Sequence, residues 1–190
     1  LSVENGLPKR SATNILQDKY GYIWVCTGAG LVRYDGYGTK IYLKKFGIGF
    51  FSAPNEVFQD REGELWVGTR YKGLLRYNRY TDSFKQCIFF PGTSAANNIT
   101  SIQEDRDGNI WTISSDIFQK KYFISCLSKA TGEWKHFSNS DSGIFHINAT
   151  EFFTLLADTD GQIWIGTNNG LYNYNTKSRH FVRYQNGRDL

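Results

Sequence analysis

The sequence is poor in the residues and segments that mark several large classes of protein. Its 190 residues include no methionine, three prolines and three cysteines. No apolar run approaches the roughly 20 residues that a membrane-spanning helix requires. The net charge of +4 is small for this length, and no basic run is longer than two residues. These features argue against membrane contact by this segment and against nucleic-acid binding.

The three cysteines are widely separated in the chain and form no Cys-x-x-Cys pair. Their spacing argues against a disulfide framework and against a zinc site, and it indicates small buried hydrophobic residues. Because the sequence starts at Leu1 without an initiator methionine, we expect a processed or truncated part of a longer chain. No secretory signal is present in the sequence itself.

Glycine and aromatic residues are abundant, at 19 glycines and 16% aromatic content, which suits many short strands joined by tight turns. The dominant feature is the motif Asp-x-x-Gly-x-(Ile/Leu)-Trp, which occurs four times with its tryptophans 42, 45 and 53 residues apart. Such a period indicates a repeat architecture. The motif residues are Asp18, Gly21, Trp24, Asp60, Gly63, Trp66, Asp105, Gly108, Trp111, Asp158, Gly161 and Trp164.

Each copy of the motif lies within a unit of four strand-like segments, and a propeller blade has the same number of strands and about the same length. We therefore predict an all-β fold, a β-propeller of four-stranded antiparallel blades, with four blades in one partial propeller domain over residues 1–190. The Asp-x-x-Gly segment is predicted to form a tight turn, and the tryptophan to fill the space between neighbouring blades. The predicted blades span about 9–43, 53–90, 98–138 and 150–185.

The third copy departs from the pattern of the others. Its third strand is predicted at 124–128, which leaves about six extra residues around 115–120 between its second and third strands. A long link, 138–149, then leads into the fourth copy. In a propeller, second-to-third-strand loops and blade-to-blade links emerge on the same face. We therefore expect the two irregular segments to be neighbours and to mark a functional surface.

Candidate ligand-binding residues lie in the loops of this shared face. Sugar sites combine flat aromatic surface with amide, carboxylate or guanidinium groups that bond paired hydroxyls. These loops contain those residue types, although any polar loop contains some of them. The candidates are Arg70, Tyr71, Lys72, Asp116, Phe118, Gln119, His146, Asn168 and Asn169.

Catalytic and metal-binding interpretations have less support in the sequence. The recurring aspartates are better explained as turn residues, and two of the turns resemble calcium loops only faintly because the EF-hand spacing is missing. No Gly-x-Ser-x-Gly or His-Glu-x-x-His motif occurs, and His136 and His180 fall in predicted fourth strands. We therefore predict no catalytic residue, no metal site and no cofactor, and leave calcium binding open.

The four motifs, three of which continue into Gly-Leu-x-x-Tyr, resemble the two-component regulator propeller repeats. The segments Glu4–Pro8 and Tyr34–Gly36 resemble the first blade of that family. The resemblance covers nearly the whole chain. It implies the periplasmic sensor region of a hybrid two-component histidine kinase, typical of glycan-degrading gut Bacteroides. Such a region would recognise an oligosaccharide without catalysis and signal through a membrane helix to a kinase.

The resemblance also implies partners for this chain. The family usually has many more repeats in seven-bladed propellers, so a truncated array is favoured over a closed four-bladed ring. We expect the remaining repeats and downstream sensor parts as partners, and association with another copy through exposed end blades. Two alternatives stay open: a propeller scaffold that binds proteins, and a propeller enzyme that cleaves polysaccharides.

Overall fold

The computed structural model describes residues 6–8, 11–42, 53–87, 97–116, 120–138, 147–175, 180–185 and 188–189. Within these ranges no helix is long and apolar enough to cross a membrane. The chain divides into two compact units, Leu1–Ile99 and Thr100–Leu190.

Blades 1 and 2 are antiparallel sheets whose strands pair in chain order. Blade 1 consists of β1 (Ala12–Gln17), β2 (Ile23–Thr27), β3 (Gly30–Tyr34) and β4 (Thr39–Tyr42). Blade 2 consists of β5 (Pro54–Gln59), β6 (Leu65–Thr69), β7 (Leu74–Asn78) and β8 (Ser83–Cys87). Each strand is four to six residues long, and each bears the β-branched or aromatic residues that favour strands.

Blades 3 and 4 repeat the same topology. Blade 3 consists of β9 (Asn98–Glu104), β10 (Ile110–Asp116), β11 (Lys121–Leu127) and β12 (Trp134–Ser138). Blade 4 consists of β13 (Phe152–Ala157), β14 (Ile163–Thr167), β15 (Gly170–Asn175) and β16 (His180–Gln185), and a short β17 (Arg188–Asp189) pairs with β16. The prediction of an all-β fold with four four-stranded blades is confirmed.

The motif aspartates lie in the turns between the first and second strands of the blades. In blade 1, Asp18 Oδ1 accepts hydrogen bonds from the amides of Tyr20 (2.9 Å) and Tyr22 (3.1 Å). Its Oδ2 accepts the indole N–H of Trp24 at 2.9 Å. Gly21 has a φ of 86°, which glycine adopts without steric cost. The indole bond recurs at 2.7–3.0 Å in the other three blades. One side chain thus holds both the turn and the tryptophan.

Cross-strand register gives every blade two distinct faces, because directly paired residues project to the same side. We call the side with the motif tryptophan the tryptophan face, and the other side the reverse face. In blade 1 the register aligns Leu16 with Trp24 and Cys26 with Leu31, so these residues lie on the tryptophan face. In blade 2 it aligns Val57 with Val67 on the reverse face.

In Leu1–Ile99 the tryptophan face of blade 1 packs against the reverse face of blade 2. Trp24 is fully buried there, with ring centroids 5.1 Å from Tyr77 and 6.4 Å from Phe84. Such aromatic contacts add to the free energy gained by burying apolar surface. The buried core consists of Trp24, Cys26, Leu31, Tyr42, Val57, Leu65, Val67, Leu75 and Tyr77.

In Thr100–Leu190 the same arrangement joins the tryptophan face of blade 3 to the reverse face of blade 4. Trp111 stacks nearly parallel to Phe137, with ring centroids 6.3 Å apart, and lies 5.2 Å from Tyr174. The side chains of this core are again mainly aliphatic and aromatic. The buried residues are Trp111, Ile113, Ile124, Cys126, Phe137, Ile147, Phe152, Leu155, Ile163, Ile165, Tyr172, Tyr174 and Phe181.

The extra residues of the third copy are arranged differently from the prediction. β10 and β11 pair as far as Asp116 and Lys121, so much of the expected loop lengthens the hairpin instead. The third strand therefore begins at Lys121, three residues before its predicted start. Continued antiparallel pairing satisfies backbone groups that a loop would leave to water, and the aromatic pair Tyr122–Phe123 favours a strand.

Candidate functional site

In each blade the second-to-third-strand loop and the incoming link lie at the same edge of that blade's sheet, and we call this edge the loop edge of the blade. It comprises residues 27–30 in blade 1, residues 53, 69–74 and 97 in blade 2, and residues 147–151 and 167–170 in blade 4. In blade 2 the amide of Arg70 donates to the carbonyl of Ala53, and that of Gly73 to the carbonyl of Asn97, both at 3.0 Å. The β6–β7 loop therefore contacts the link on each side of its blade.

The candidates Arg70, Tyr71 and Lys72 form the tip of this β6–β7 loop. Lys72 is fixed through its backbone, because its amide donates to Thr69 Oγ1 (3.0 Å) and its carbonyl accepts from Gln86 Nε2 (2.9 Å). The Arg70 side chain is exposed, and its guanidinium carbon lies 5.7 Å from the Tyr71 ring centroid. A fixed backbone here presents a cation beside an aromatic ring.

The candidates Asn168 and Asn169 anchor the link that enters blade 4. Asn168 Oδ1 accepts from the amide of Thr150 at 3.1 Å, and its Nδ2 donates to Thr150 Oγ1 at 2.6 Å. Asn169 Nδ2 donates to the carbonyl of Asn148 at 2.6 Å, and its Oδ1 accepts from Arg183 Nη2 at 3.3 Å. Both amides are thus engaged within the chain. Their contact with a ligand stays a prediction.

The remaining candidates are only partly covered by the described residues. Asp116 ends β10 opposite Lys121 and is 4% exposed, so this conformation leaves little of it for a ligand to contact. The long link into the fourth copy starts at Ser138, which ends β12 and pairs with Phe123. Ser138 therefore lies at the end of blade 3 where Asp116 lies. Phe118, Gln119 and His146 lie outside the described residues, so the expected proximity of the two irregular segments stays a prediction.

Asp82 forms a cluster that the sequence analysis missed. It lies in the β7–β8 turn with a φ of 49°, and its carboxylate accepts from Tyr42 Oη at 2.6 Å and from Tyr77 Oη. Lys40 and Arg33 of blade 1 each form an ion pair with the same carboxylate. Burial alone would raise the pKa of Asp82, but the hydrogen bonds of Lys40 and the two tyrosines outweigh it and lower that pKa. The cluster joins blades 1 and 2.

A group of carboxylates on the blade 2 turn has the composition of a cation site. The carboxylate oxygens of Asp60, Glu62 and Glu64 lie within 4.8 Å of one another. Asp60, however, accepts the Trp66 indole N–H at 3.0 Å and the Glu64 amide at 2.8 Å, and Glu64 pairs with Arg76. The turn itself explains these contacts, so we assign no metal to them.

One serine–histidine contact in the described residues has the composition of a nucleophile and a base. His136 Nδ1 lies 2.9 Å from Ser125 Oγ, and burial lowers the pKa of His136. Ser125 is fully buried in the middle of β11, however, where a substrate has no access to its hydroxyl. Access is a condition for nucleophilic catalysis, and this pair does not meet it.

Comparison with family models locates the repeats independently. Segments 6–29, 93–116 and 146–169 match the family described as two component regulator propeller. The matched segments contain the first two strands of blades 1, 3 and 4. Three segments of the chain are thus similar to two-component regulator propeller repeats. The resemblance predicted from the motifs is confirmed.

Solved structures with a similar fold include proteins of several kinds. The extracellular domain of a proposed hybrid two-component system from B. thetaiotaomicron is 24% identical with a TM-score of 0.52, covering 96% of this chain and 31% of that one. Virginiamycin B lyase from Staphylococcus aureus is 17% identical (TM-score 0.69), covering 97% and 59%. PorZ of Porphyromonas gingivalis is 14% identical (TM-score 0.66), covering 95% and 28%.

These similarities establish the propeller fold, not an activity, because all three identities are below 25%. The chain spans about a third of the two-component domain and less than two thirds of the lyase. A comparison with curated protein sequences found no match.

Proposed function

We propose that this propeller segment is a non-catalytic ligand-sensing module in the extracytoplasmic region of a hybrid two-component sensor, and that its ligand is an oligosaccharide. The observation that carries the proposal is the match of three blades to two-component regulator propeller repeats. A similar structure described as the extracellular domain of such a system supports it. In this proposal the kinase lies in other parts of the parent protein.

The loop edge supplies groups that suit an oligosaccharide. Arg70 offers a planar fork of N–H donors that can bond two neighbouring sugar hydroxyls, and Tyr71 offers a ring face for stacking. The backbone bonds of the β6–β7 loop to Ala53 and Asn97 hold these side chains on a rigid base. A preorganised site of this kind loses less conformational entropy when a ligand binds.

Signalling would follow from differential affinity. A ligand shifts a conformational equilibrium only when it binds one state more tightly than the other. Because the β6–β7 loop contacts the links at Ala53 and Asn97, a sugar bound at Arg70 and Tyr71 would act on the segments that connect blades. Changes in those links are the route by which binding would reach downstream parts.

Calorimetric titration with a panel of plant, host and microbial oligosaccharides tests the proposal. We expect one panel member to bind, and Arg70→Ala and Tyr71→Ala each to weaken its binding about tenfold, which corresponds to about 1.4 kcal/mol. Tyr80→Ala is the matched control, because Tyr80 is fully exposed in the β7–β8 turn at the opposite edge of the same blade. That variant should bind as the wild type does.

Two results would contradict this function. If no oligosaccharide binds and a protein partner co-purifies instead, the chain is a protein-binding scaffold. If incubation with a polysaccharide releases shorter products, the chain is an enzyme.

A further inference from the structure

Three exposed tyrosines lie in turns of blades 1 and 2, at the edge opposite the loop edge. Tyr37 and Tyr80 are fully exposed, and Tyr20 is 55% exposed. Each lies two residues after an aspartate or asparagine, and its amide donates to the Oδ1 atom of that residue at 2.9 Å. The same kind of turn, with a fixed backbone, therefore presents all three side chains.

The repeat itself shows that this turn position does not require tyrosine. In the β9–β10 and β13–β14 turns the corresponding residues are Asp107 and Asp160, whose amides make the same bond at 2.9 and 3.0 Å. In the β5–β6 turn of blade 2 the corresponding residue is Glu62. Formation of the turn thus does not explain the exposed aromatic rings. Tyrosine is enriched where proteins contact other proteins, and acidic residues are depleted there.

The three tyrosine turns form one surface, because the β7–β8 turn of blade 2 contacts both turns of blade 1. The guanidinium carbon of Arg79, the residue next to Tyr80, lies 3.6 Å from the Tyr20 ring centroid. Asp82 of the same turn pairs with Lys40, near the start of β4. We call residues 18–22, 35–40 and 78–83 together the tyrosine surface.

We propose that two copies of this chain associate about a two-fold axis through the tyrosine surface. In such a dimer the same patch lies on both sides of the interface, so the patch must be compatible with itself. Tyrosine meets this requirement, because its rings stack on one another and its hydroxyl both donates and accepts hydrogen bonds. Its side chain also loses little conformational entropy when it becomes ordered. This proposal is independent of the oligosaccharide site.

The charges of the tyrosine surface also fit a second copy. Each of its three segments contains one acidic and one basic residue, so the formal charges cancel. Two copies can therefore meet without like-charge repulsion, whereas a strongly acidic or basic partner would find no opposite charge to attract it. The acidic β5–β6 turn adjoins the surface at Lys19, whose Nζ donates to the Glu62 carbonyl at 2.6 Å. It would supply part of a polar rim.

The size of the tyrosine surface is close to what a stable dimer needs. A buried aromatic side chain removes roughly 150–250 Å² from water, so the three tyrosines contribute on the order of 500 Å² per copy. An interface of standard size requires about 800 Å² from each partner. The tyrosines would thus supply most of that area, and the backbone of their turns can supply the rest.

Sedimentation velocity of the 190-residue chain over a series of concentrations tests the proposal. We expect a monomer–dimer equilibrium. Tyr37→Ala and Tyr80→Ala should each raise the dissociation constant of the dimer at least about tenfold, since each substitution occurs twice in a two-fold interface. Tyr184→Ala is the matched control, because Tyr184 is an exposed tyrosine on the tryptophan face of blade 4. It should leave the dissociation constant unchanged.

Loss of the dimer must be distinguished from loss of the fold. Because Tyr37 and Tyr80 are fully exposed, we expect both variants to keep the circular dichroism spectrum of the wild type. A chain that stays monomeric at every concentration would overturn the proposal. So would a dimer that only Tyr184→Ala weakens, because the copies then pair through blade 4. A dimer that salt dissociates would also overturn it, because charge pairs then hold the copies together.

Discussion

The motif aspartate makes at least two kinds of hydrogen bond with one carboxylate. Its first oxygen fixes the backbone of the turn, and its second binds the indole N–H of the tryptophan that fills the blade interface. In blade 1, Asp18 also pairs with Arg79 of blade 2 at 3.0 Å. The aspartate therefore links local turn geometry to packing between blades, which accounts for its recurrence in a repeat protein.

Replacing this aspartate should lower the free energy of unfolding most in blades whose motif tryptophan is buried. We expect Asp18→Ala to lower the free energy of unfolding by about 2–4 kcal/mol, because it leaves the N–H of fully buried Trp24 unpaired. Asp158→Ala is the control for the shared turn and indole bonds, and should cost under about 1 kcal/mol because water can reach half-buried Trp164 and because the Asp18–Arg79 pair is kept. Urea denaturation measures both. Equal losses at the two sites would contradict this role for burial.

Stability should fall in acid through Asp18 and Asp82. For each, burial raises the pKa but hydrogen bonds outweigh it, so the pKa is lower in the folded chain than in the unfolded one. The ionised form therefore adds stability that is fully present above the unfolded pKa, near ~4, and is lost as the pH falls towards the folded pKa. We expect the urea midpoint to be level above about pH 5 and to drop below about pH 4.

The variant Asp82→Asn isolates one part of this acid dependence. It removes a titrating group, so its stability should change less between pH 5 and pH 3 than that of the wild type. If Asp82→Asn had the same acid dependence as the wild type, the partners of Asp82 would not lower its pKa in the folded chain.

Among the elements, the β6–β7 loop has a constrained backbone at Gly73. Gly73 has a φ of 68°, and a Cβ atom there would lie 3.2 Å from Asn97 Oδ1. We expect Gly73→Ala to lower the free energy of unfolding by about 1–2 kcal/mol. Gly38→Ala in the β3–β4 turn is the control, because that position has no positive φ and open space around it.

The control should be neutral or slightly stabilising in the same urea measurement, since alanine restricts the unfolded chain. If both variants lose the same stability, the conformation of the β6–β7 loop is not the cause. A loss of oligosaccharide binding in Gly73→Ala alone would further support the rigid base proposed for Arg70 and Tyr71.

Much of the element order could be predicted, because strands recognised in one copy of the repeat indicate the corresponding strands in the other copies. His136 and His180 lie in the fourth strands β12 and β16, as predicted, because turn residues on either side define these strands locally. The third strand of blade 3 was predicted at nearly the right place, but its start could not be predicted, because that start depends on how far β10 and β11 pair rather than on composition. Pairing of that kind is a tertiary property, and the departing copy had no counterpart to guide it.

The candidate site was predictable only in its position. Chain order alone places Arg70 and Asn168 each at the loop edge of its own blade, but it does not show which bonds their side chains make. The bonds of Asn168 to Thr150 cross 18 residues, and those of Asp82 to blade 1 cross 40 or more. The first depend on how a link folds back onto its own blade and the second on how two blades stack, and no local pattern encodes either.

At the scale of the whole molecule, two units each have their own core, and every motif tryptophan except Trp164 is buried. The function we propose assigns recognition to the loop edge of blade 2. The tryptophan face of blade 4 differs from it in composition, because Leu156, Leu171 and Tyr184 make it largely apolar. We therefore expect ligand binding to leave hydrogen exchange around Leu156 and Tyr184 unchanged.

Hydrogen–deuterium exchange with and without the bound oligosaccharide tests this account most directly. We predict slower exchange confined to the loop edge of blade 2, in the peptide that covers 68–74, with no change in the β1–β2 and β3–β4 turns. Slower exchange in β13 and β16 instead would place the ligand on the tryptophan face of blade 4. That result, or no change anywhere with a sugar demonstrably bound, would contradict recognition at the loop edge.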